Sequence, residues 1–371
     1  MTQLRLLHVH SGNLFGGIET VLLSLRSYDD ETGGFESEYA LCFDSRLARE
    51  LRGRESKVHI LGAAKASRPW TVFRARVLLG RLLATRNFDA VVTHSPWTQG
   101  IFGPVLTNWS GPCVFWLHGA LGKLHWTERL ARRHEPQLVV CNSNSTARTL
   151  PKLYPNARSI VIYNPVEEPQ TGHATRLEVR EQANTPPDAF VILLAGRMEA
   201  LKGHAVLLSA VAGLNVTATV YCWFAGGAQQ PSEQRYQASL ESQAAGLGIS
   251  DSVRFLGDRK DIANVYAAAD LYCQPNTHPE GFGVTFVEAL YTGLPVVTTA
   301  IGGALEIIDE SCGVLIDPDD VSQLVVSLES LIEDPDRLAA LASAAPIRAR
   351  QLCDPNAQLA RIYNEVKSIA A

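Results

Sequence analysis

Short apolar runs alternate with longer amphipathic stretches along the whole chain. In the first half, runs at 4–9, 37–43, 58–61, 90–93, 113–117 and 138–141 have the length of buried strands. Between them, apolar positions at helical spacing over 18–26, 70–86 and 145–153 predict helices. Strands alternating with helices imply βαβ units and a parallel sheet. A polar stretch carrying Pro169, Pro186 and Pro187 then interrupts the pattern and reads as a domain boundary. The second half repeats the logic, with strands expected at 190–195, 216–224, 253–256, 271–274, 295–298 and 314–316. The expected organisation is an α/β domain over 1–166, a linker over 167–187 and a second α/β domain over 188–355.

The two halves begin alike. Each opens as a strand, a glycine turn and a helix, with Val21-Leu22-Leu23-Ser24 in one and Val206-Leu207-Leu208-Ser209 in the other. Two copies of one supersecondary unit and a chance likeness between common α/β elements both fit.

Composition narrows the class. The 371 residues are 46% apolar and 19% charged, which excludes a disordered chain and leaves room for two ordinary cores. Seven scattered cysteines without a short pairing motif argue against a disulfide scaffold. No apolar run reaches the length of a membrane span, and the longest, 205–216, is expected as a core helix. No signal-peptide pattern surrounds 4–9, so a cytoplasmic location is expected. The net charge of −5 hides an asymmetry, +8 over 1–165 against −13 over 166–371. A basic first half suits an anionic surface, or is simply a differently solvated face. His and Cys are not spaced as metal ligands, so no metal is expected. Nucleic-acid modules with stacked aromatics are missing as well.

Three glycine turns carry the candidate chemistry. Gly12, Gly16 and Gly17 follow the first strand and allow a close approach of backbone to a phosphate or sugar oxygen, although a plain strand–helix turn looks the same. Gly196-Arg197 and Lys202-Gly203 follow the strand at 190–195; the two cations suit diphosphate oxygens, or are solvated loop charges. The third turn is the most informative: Pro279-Glu280-Gly281-Phe282-Gly283-Val284-Thr285-Phe286-Val287-Glu288. Gly281 and Gly283 leave a bare loop before a helix expected to start near Val284, whose first N–H groups would face an anion. Glu280 lies just before that loop, and Glu288 lies about one turn inside the helix.

Taken in order, these motifs resemble the retaining GT-B glycosyltransferases of family four (glycosyl transferases group 1) nearly end to end. The likeness runs through Gly16–Thr20, Gly196-Arg197, Lys202-Gly203 and Phe255-Leu256-Gly257. It continues through Glu280–Leu290, Gly293-Leu294-Pro295, Gly302-Gly303, Glu306 and Gly313. The resemblance implies an α/β protein of two Rossmann-like domains whose parallel sheets face a central cleft, with a final helix over 356–371 packing back on the first domain. It implies a UDP- or GDP-type nucleotide sugar on the second domain, an acceptor on the first, retention of configuration, and neither metal nor other cofactor.

Roles carry over by position. Arg197 and Lys202 would neutralise the diphosphate, Glu280 would hold a donor-sugar hydroxyl, and Glu288 would take the ribose. The backbone of Phe282, Gly283, Val284 and Thr285 would meet sugar and phosphate, and Leu256 would lie beside the base. Gly16 and Gly17 would approach the donor phosphate, and His118, at a strand end next to Gly119, would stand near the transferred sugar. Two departures stand out: Pro165 follows Asn164 where the family commonly has glycine, and Gly119 follows His118 where some members carry an acid.

The implied acceptor is a saccharide or lipid-linked molecule of cell-envelope polysaccharide, lipopolysaccharide or glycolipid synthesis. Trp70, Phe73 and Val77, interleaved with Arg68, Arg74, Arg76 and Arg81, read as a segment for an anionic membrane at the inner face of the cell, or as an ordinary basic helix face. A catalytically inactive scaffold of this fold, and an epimerase or phosphorylase, remain alternatives. A nicotinamide-dependent dehydrogenase is disfavoured by the missing G-x-G-x-x-G.

Overall fold

The computed structural model describes residues 3–32 and 34–370, with the backbone alone at 28–32. Residues 1, 2 and 371, which the expected domain limits include, lie outside the described residues, as does residue 33. The chain divides into two compact units, one of residues 1–166 and 353–371, the other of residues 167–352.

The first unit is built on seven parallel strands. They are β1 (Leu4–His10), β2 (Phe35–Leu41), β3 (Lys57–Ile60), β4 (Ala90–Thr93), β5 (Cys113–Leu117), β6 (Leu138–Cys141) and β7 (Ser159–Val161), in the order β3-β2-β1-β4-β5-β6-β7. The central strands are buried throughout, as a parallel sheet covered on both faces requires. β7 has no counterpart in the sequence reading, because this three-residue edge strand is part-exposed and leaves no apolar run.

The second unit holds six parallel strands: β8 (Phe190–Ala195), β9 (Val220–Ala225), β10 (Val253–Gly257), β11 (Leu271–Gln274), β12 (Val296–Thr299) and β13 (Gly313–Ile316). Their order is β10-β9-β8-β11-β12-β13. Both sheets change winding direction beside their first strand, between β1 and β4 and between β8 and β11. At such a point, loops after neighbouring strands part and leave a crevice. β9 starts later than the expected 216, because 217–219 is exposed turn. The helix expected over 205–216 is His204–Ala212 and stops at Gly213.

The stretch read as a linker is in large part ordered structure of the second unit. Its helix, Arg176–Gln182, starts with a capping box: the Thr175 amide donates to Glu178 Oε2 (2.7 Å) and the Glu178 amide to Thr175 Oγ1 (3.3 Å). Arg180, 1% exposed, anchors it. Its guanidinium donates to the carbonyls of Ala268 (3.0 Å), Pro187 (2.7 Å) and Ala189 (2.7 Å) and to Asp270 Oδ2 (2.7 Å). Polar composition hid this segment, since its attachment rests on one buried cation and not on an apolar stripe.

The C-terminal helix, Pro355–Ala370, belongs to the first unit. It buries Leu359, Ile362, Tyr363 and Val366, and the Tyr363 ring meets Phe35 edge-on at 5.5 Å. Arg361 Nη2 donates to the Val161 carbonyl (2.7 Å), and Arg158 pairs with Glu365 (2.7 Å). Where the chain leaves this unit and returns to it, the Val166 amide donates to the Cys353 carbonyl at 3.3 Å. No helix among the described residues is long and apolar enough to cross a membrane.

Arg180→Met takes the donor from the buried carbonyls of Ala268 and Ala189 and from that of Pro187, while Asp270 keeps Arg176 and the Val191 amide. It should lower the unfolding free energy of the second unit by about 2 kcal/mol or more, since each buried carbonyl left without a donor costs about 1–3 kcal/mol. Urea unfolding followed by circular dichroism checks this, and an unchanged midpoint would remove Arg180 as the anchor.

Candidate active site

In the second unit, Lys202 and Glu280 meet at the point where the sheet changes direction. Lys202 closes the turn after β8, Glu280 lies on the loop after β11, and Lys202 Nζ lies 2.5 Å from Glu280 Oε1. The other carboxylate oxygen, Oε2, accepts from Gln274 Nε2 (2.8 Å) and Asn276 Nδ2 (3.3 Å). Gln274 is fixed in turn. Its Oε1 faces Tyr272 Oη (2.8 Å) and Thr285 Oγ1 (3.4 Å), and its carbonyl accepts from Thr298 Oγ1 (2.7 Å). Gln274 and Asn276 are fully buried and absent from the sequence reading. The one signal for them was a polar residue ending the apolar run 271–274, at a strand's carboxyl end.

The loop that carries Glu280 rests on glycine. The Gly303 amide donates to the Glu280 carbonyl at 2.9 Å. A Cβ on Gly302 would stand 2.4 Å from the Glu280 carbonyl oxygen, and one on Gly303 2.4 Å from that of Phe282. No larger residue fits under this loop. The helix Val284–Tyr291 follows, capped by Gly283 in the left-handed region (φ 109°) with no side chain on its first amides. The amides of Val284 and Thr285 thus lie at the positive end of a helix that Gln274, bonded to both Thr285 and Glu280, ties to the Lys202–Glu280 pair. Phe282 and Val284 are buried, while the Thr285 hydroxyl turns inward to Gln274.

Arg197 does not join that pair. Its guanidinium bonds Glu233 Oε1 and lies 3.0 Å from Glu199 Oε1. Glu233 is 4% exposed and also accepts from the Gln229 amide (2.6 Å). Sequence reading missed Glu233, which is far along the chain and looks like an ordinary first-turn acid of the helix Pro231–Gly246. Both cations are therefore neutralised by carboxylates.

Glu288 forms a separate site, where Tyr266 Oη donates to its Oε2 at 3.0 Å. The residue is half-buried, but its carboxyl sits among packed atoms, and burial pushes its pKa up to about 7. Leu256 is the extra residue of a bulge: Phe255 pairs with Phe224 and Gly257 with Ala225, leaving Leu256 unpaired and half-buried.

The remaining candidates lie in the first unit. Gly16 and Gly17 precede and open the helix Gly17–Thr32, and the Gly16 amide is taken by Glu19 Oε2 (2.9 Å). Glu19, itself buried, also holds His10 Nε2 at 2.7 Å through Oε1. His118 follows β5, half-buried, with Trp116 stacked on it at 5.4 Å between ring centres. Its Nε2 lies 3.0 Å from Nδ1 of His94, a fully buried residue that sequence reading also missed. No group of three His, Cys, Asp or Glu among the described residues is arranged to hold a metal ion.

The raised Glu288 pKa has a definite sign. An unfolded chain holds this carboxyl near 4.5, so the folded chain binds its proton more tightly. That contribution is complete below about pH 4.5 and is lost as pH rises through about 7. Glu288→Gln removes the slope. Between about pH 5 and about pH 8 the wild-type melting temperature should fall relative to the variant's in scanning calorimetry, whereas parallel curves would contradict the shift.

Comparison with known proteins agrees with this architecture. The profile of the glycosyl transferases group 1 matches residues 175–348, and that of glycosyltransferase family 4 matches residues 15–168. The D-inositol 3-phosphate glycosyltransferase of Thermobispora bispora is 31% identical over 310 residues, 75% of this chain and 71% of that protein. The same-named protein of Corynebacterium aurimucosum is 30% identical over 315 residues, 76% of this chain and 73% of that protein. The crystal structure of Anabaena HepE in complex with UDP and glucose superposes with a TM-score of 0.85 at 26% identity, covering 98% of this chain and 100% of that one. With two Rossmann-like units of parallel strands and both profiles matched, the chain belongs to the GT-B glycosyltransferases of family four, the glycosyl transferases group 1.

Proposed function

We propose that the protein transfers a sugar from a UDP-type donor to an acceptor hydroxyl, with retention at the anomeric carbon and without a metal ion. The Lys202–Glu280 pair, tied through Gln274 to a helix start whose first amides no side chain covers, carries this reading. Lys202, Arg197 and the Val284 and Thr285 amides would take the charge that grows on the departing diphosphate, as fixed donors do most effectively in a dry site. Glu280 would receive a sugar hydroxyl, Glu288 the ribose, and the backbone of Phe282 and Gly283 the sugar and phosphate. Leu256 would pack on the base, Gly16 and Gly17 would approach the phosphate, and His118 would face the transferred sugar.

Within a retaining reaction, the state of Glu280 favours front-face departure over a covalent intermediate. Lys202, Gln274 and Asn276 already occupy both of its oxygens, which suits a fixed hydrogen-bonding group better than a covalent nucleophile. The anomeric carbon–oxygen bond to the diphosphate would break on the face where the acceptor oxygen bonds. The acceptor proton would pass to a leaving phosphate oxygen. UDP is favoured over GDP by HepE, whose structure holds UDP and glucose.

Two acceptor classes have support. Curated relatives named for D-inositol 3-phosphate favour a small phosphorylated polyol. A lipid-linked saccharide of the cell envelope is favoured by the helix Pro69–Thr85. Residues 56–88 contain seven Lys or Arg and no Asp or Glu. Trp70 and Phe73 on this helix are 67% and 70% exposed. Lys65, Arg68, Arg74 and Arg81 are exposed beside them. Aromatic rings flanked by unopposed cations match an anionic bilayer surface, with the enzyme in the cytoplasm at the inner face of the membrane.

Lys202→Ala should cut turnover about 100-fold or more, the usual loss for one transition-state donor. Near-normal turnover would remove the assignment. In a thermal-shift panel of nucleoside diphosphates, UDP at about 100 times its Kd should add about 2.7 kcal/mol of stability. A shift with none of the bases would favour an inactive scaffold. Flotation with phosphatidylglycerol vesicles at low salt should carry the wild type and not Trp70→Ser/Phe73→Ser. Failure of the wild type to float would leave the inositol phosphate class.

A further inference from the structure

His118 is the outer end of a chain of three hydrogen-bonded histidines. His8 lies on β1, His94 directly follows β4, and His118 directly follows β5, three neighbouring strands of the first sheet. The strand register pairs His8 with Val92, and Thr93 with Phe115. Each histidine therefore stands two residues nearer the carboxyl edge than the one before, all on one face of the sheet. His8 Nδ1 lies 2.9 Å from His94 Nε2, and His94 Nδ1 lies 3.0 Å from His118 Nε2. Tyr39 stacks on His8 at 5.3 Å and Trp116 on His118 at 5.4 Å, so neighbouring rings hold both ends. His10 meets His94 edge-on at 6.3 Å but is bonded to Glu19 and stands outside the chain.

Burial keeps all three rings neutral. It pushes His8 and His118 down to about 3, and His94 well below its ordinary value of 6.5. A neutral imidazole has one N–H and one lone pair. His94 is bonded at both nitrogens, so it donates at one and accepts at the other, and the three rings share one tautomer. Only two arrangements exist: all protonated at Nδ1, or all at Nε2.

The ends of the chain decide between them. The free nitrogen of His8, Nε2, has no partner among the described residues, and the residue lines a narrow, almost wholly apolar cavity with Leu6, Val92, Val114 and Ile362, where the one hydroxyl residue, Ser37, makes no hydrogen bond to it. The free nitrogen of His118, Nδ1, belongs to a half-buried ring and also has no protein partner among the described residues. An N–H stranded against apolar walls is among the rarest features of folded proteins. The Nδ1 arrangement leaves only a lone pair at the cavity and puts the surplus N–H on His118, where it can find an acceptor.

We propose that His94 is a positioning residue that, backed by His8, locks His118 as its Nδ1–H tautomer, so that His118 offers an uncharged hydrogen-bond donor to an oxygen of the transferred sugar or of its acceptor. The sugar contact rests on the reading of His118 under Proposed function, whereas the tautomer lock does not.

Long-range proton–nitrogen NMR of the full chain labelled with 15N-histidine tests the lock without substrate. His8, His94 and His118 should each show a single Nδ1–H form near neutral pH. His94→Leu should release His118 into a mixture containing Nε2–H. His94→Gln, whose carboxamide can accept from His8 and donate to His118, should keep the Nδ1–H form. Turnover should fall about tenfold in His94→Leu, the worth of one neutral hydrogen bond, and recover in His94→Gln with UDP affinity unchanged in both. If His94→Leu does not fold, His8→Phe cuts the chain at its far end and should free the same mixture. Wild-type His118 protonated at Nε2, or an unchanged Nδ1–H form in His94→Leu or His8→Phe, overturns the proposal. A lock that behaves as stated in a protein that transfers no sugar upholds the tautomer and sinks the functional reading instead.

Discussion

The contact between Lys202 and Glu280 is the constraint around which the second unit's site is arranged. Two opposite charges from loops 78 residues apart meet where the sheet reverses its winding, and the lysine is already committed before any ligand arrives. An anion that draws Lys202 away must not leave a bare buried carboxylate behind. Gln274 and Asn276 meet that need, because their amide groups hold the second oxygen of Glu280 whatever Lys202 does. The buried hydroxyls of Thr298 and Thr299, bonded to the main-chain carbonyls of Gln274 and Asn276, fix the backbone that carries these amides. The pair is thus a switchable contact set on a rigid polar floor.

The same economy of charge holds for Arg197, which Glu233 and Glu199 flank. Two cations face three carboxylates, so these side chains by themselves do not make a strongly positive well. On the proposed function, selectivity for a diphosphate over chloride or a single phosphate would come from geometry. Such a ligand would have to reach the lysine and the amides of Val284 and Thr285 together in order to exceed what the carboxylates already supply.

Much of the fold was legible because parallel strands covered on both faces are nearly continuous apolar runs. The runs at 90–93, 113–117, 138–141, 190–195 and 271–274 coincide with strands to the residue. The misses have physical causes. β7 is a short, part-exposed edge strand, and the segment over 176–182 is held by a buried arginine that local sequence presents as one more surface charge. At the site, glycines and acids at fixed spacing were visible, since close backbone approach and helix starts are local properties. Gln274, Asn276, Glu233 and His94 were not, because each owes its place to a neighbouring strand or helix. The alternation of His8 and His10 along β1 was on view, but nothing in a single strand says which ring faces another.

The first unit is discontinuous in the chain: its sheet ends near Val166, and the helix Pro355–Ala370 that completes it comes only after the whole of the second unit. During synthesis, the second unit is complete and free to collapse before Pro355–Ala370 leaves the ribosome. The first unit waits meanwhile with Phe35 and its neighbours uncovered. Of the two units, the one whose translation begins first is therefore the one completed second. Its exposure to chaperones and to aggregation is set by how long the other half takes to be translated.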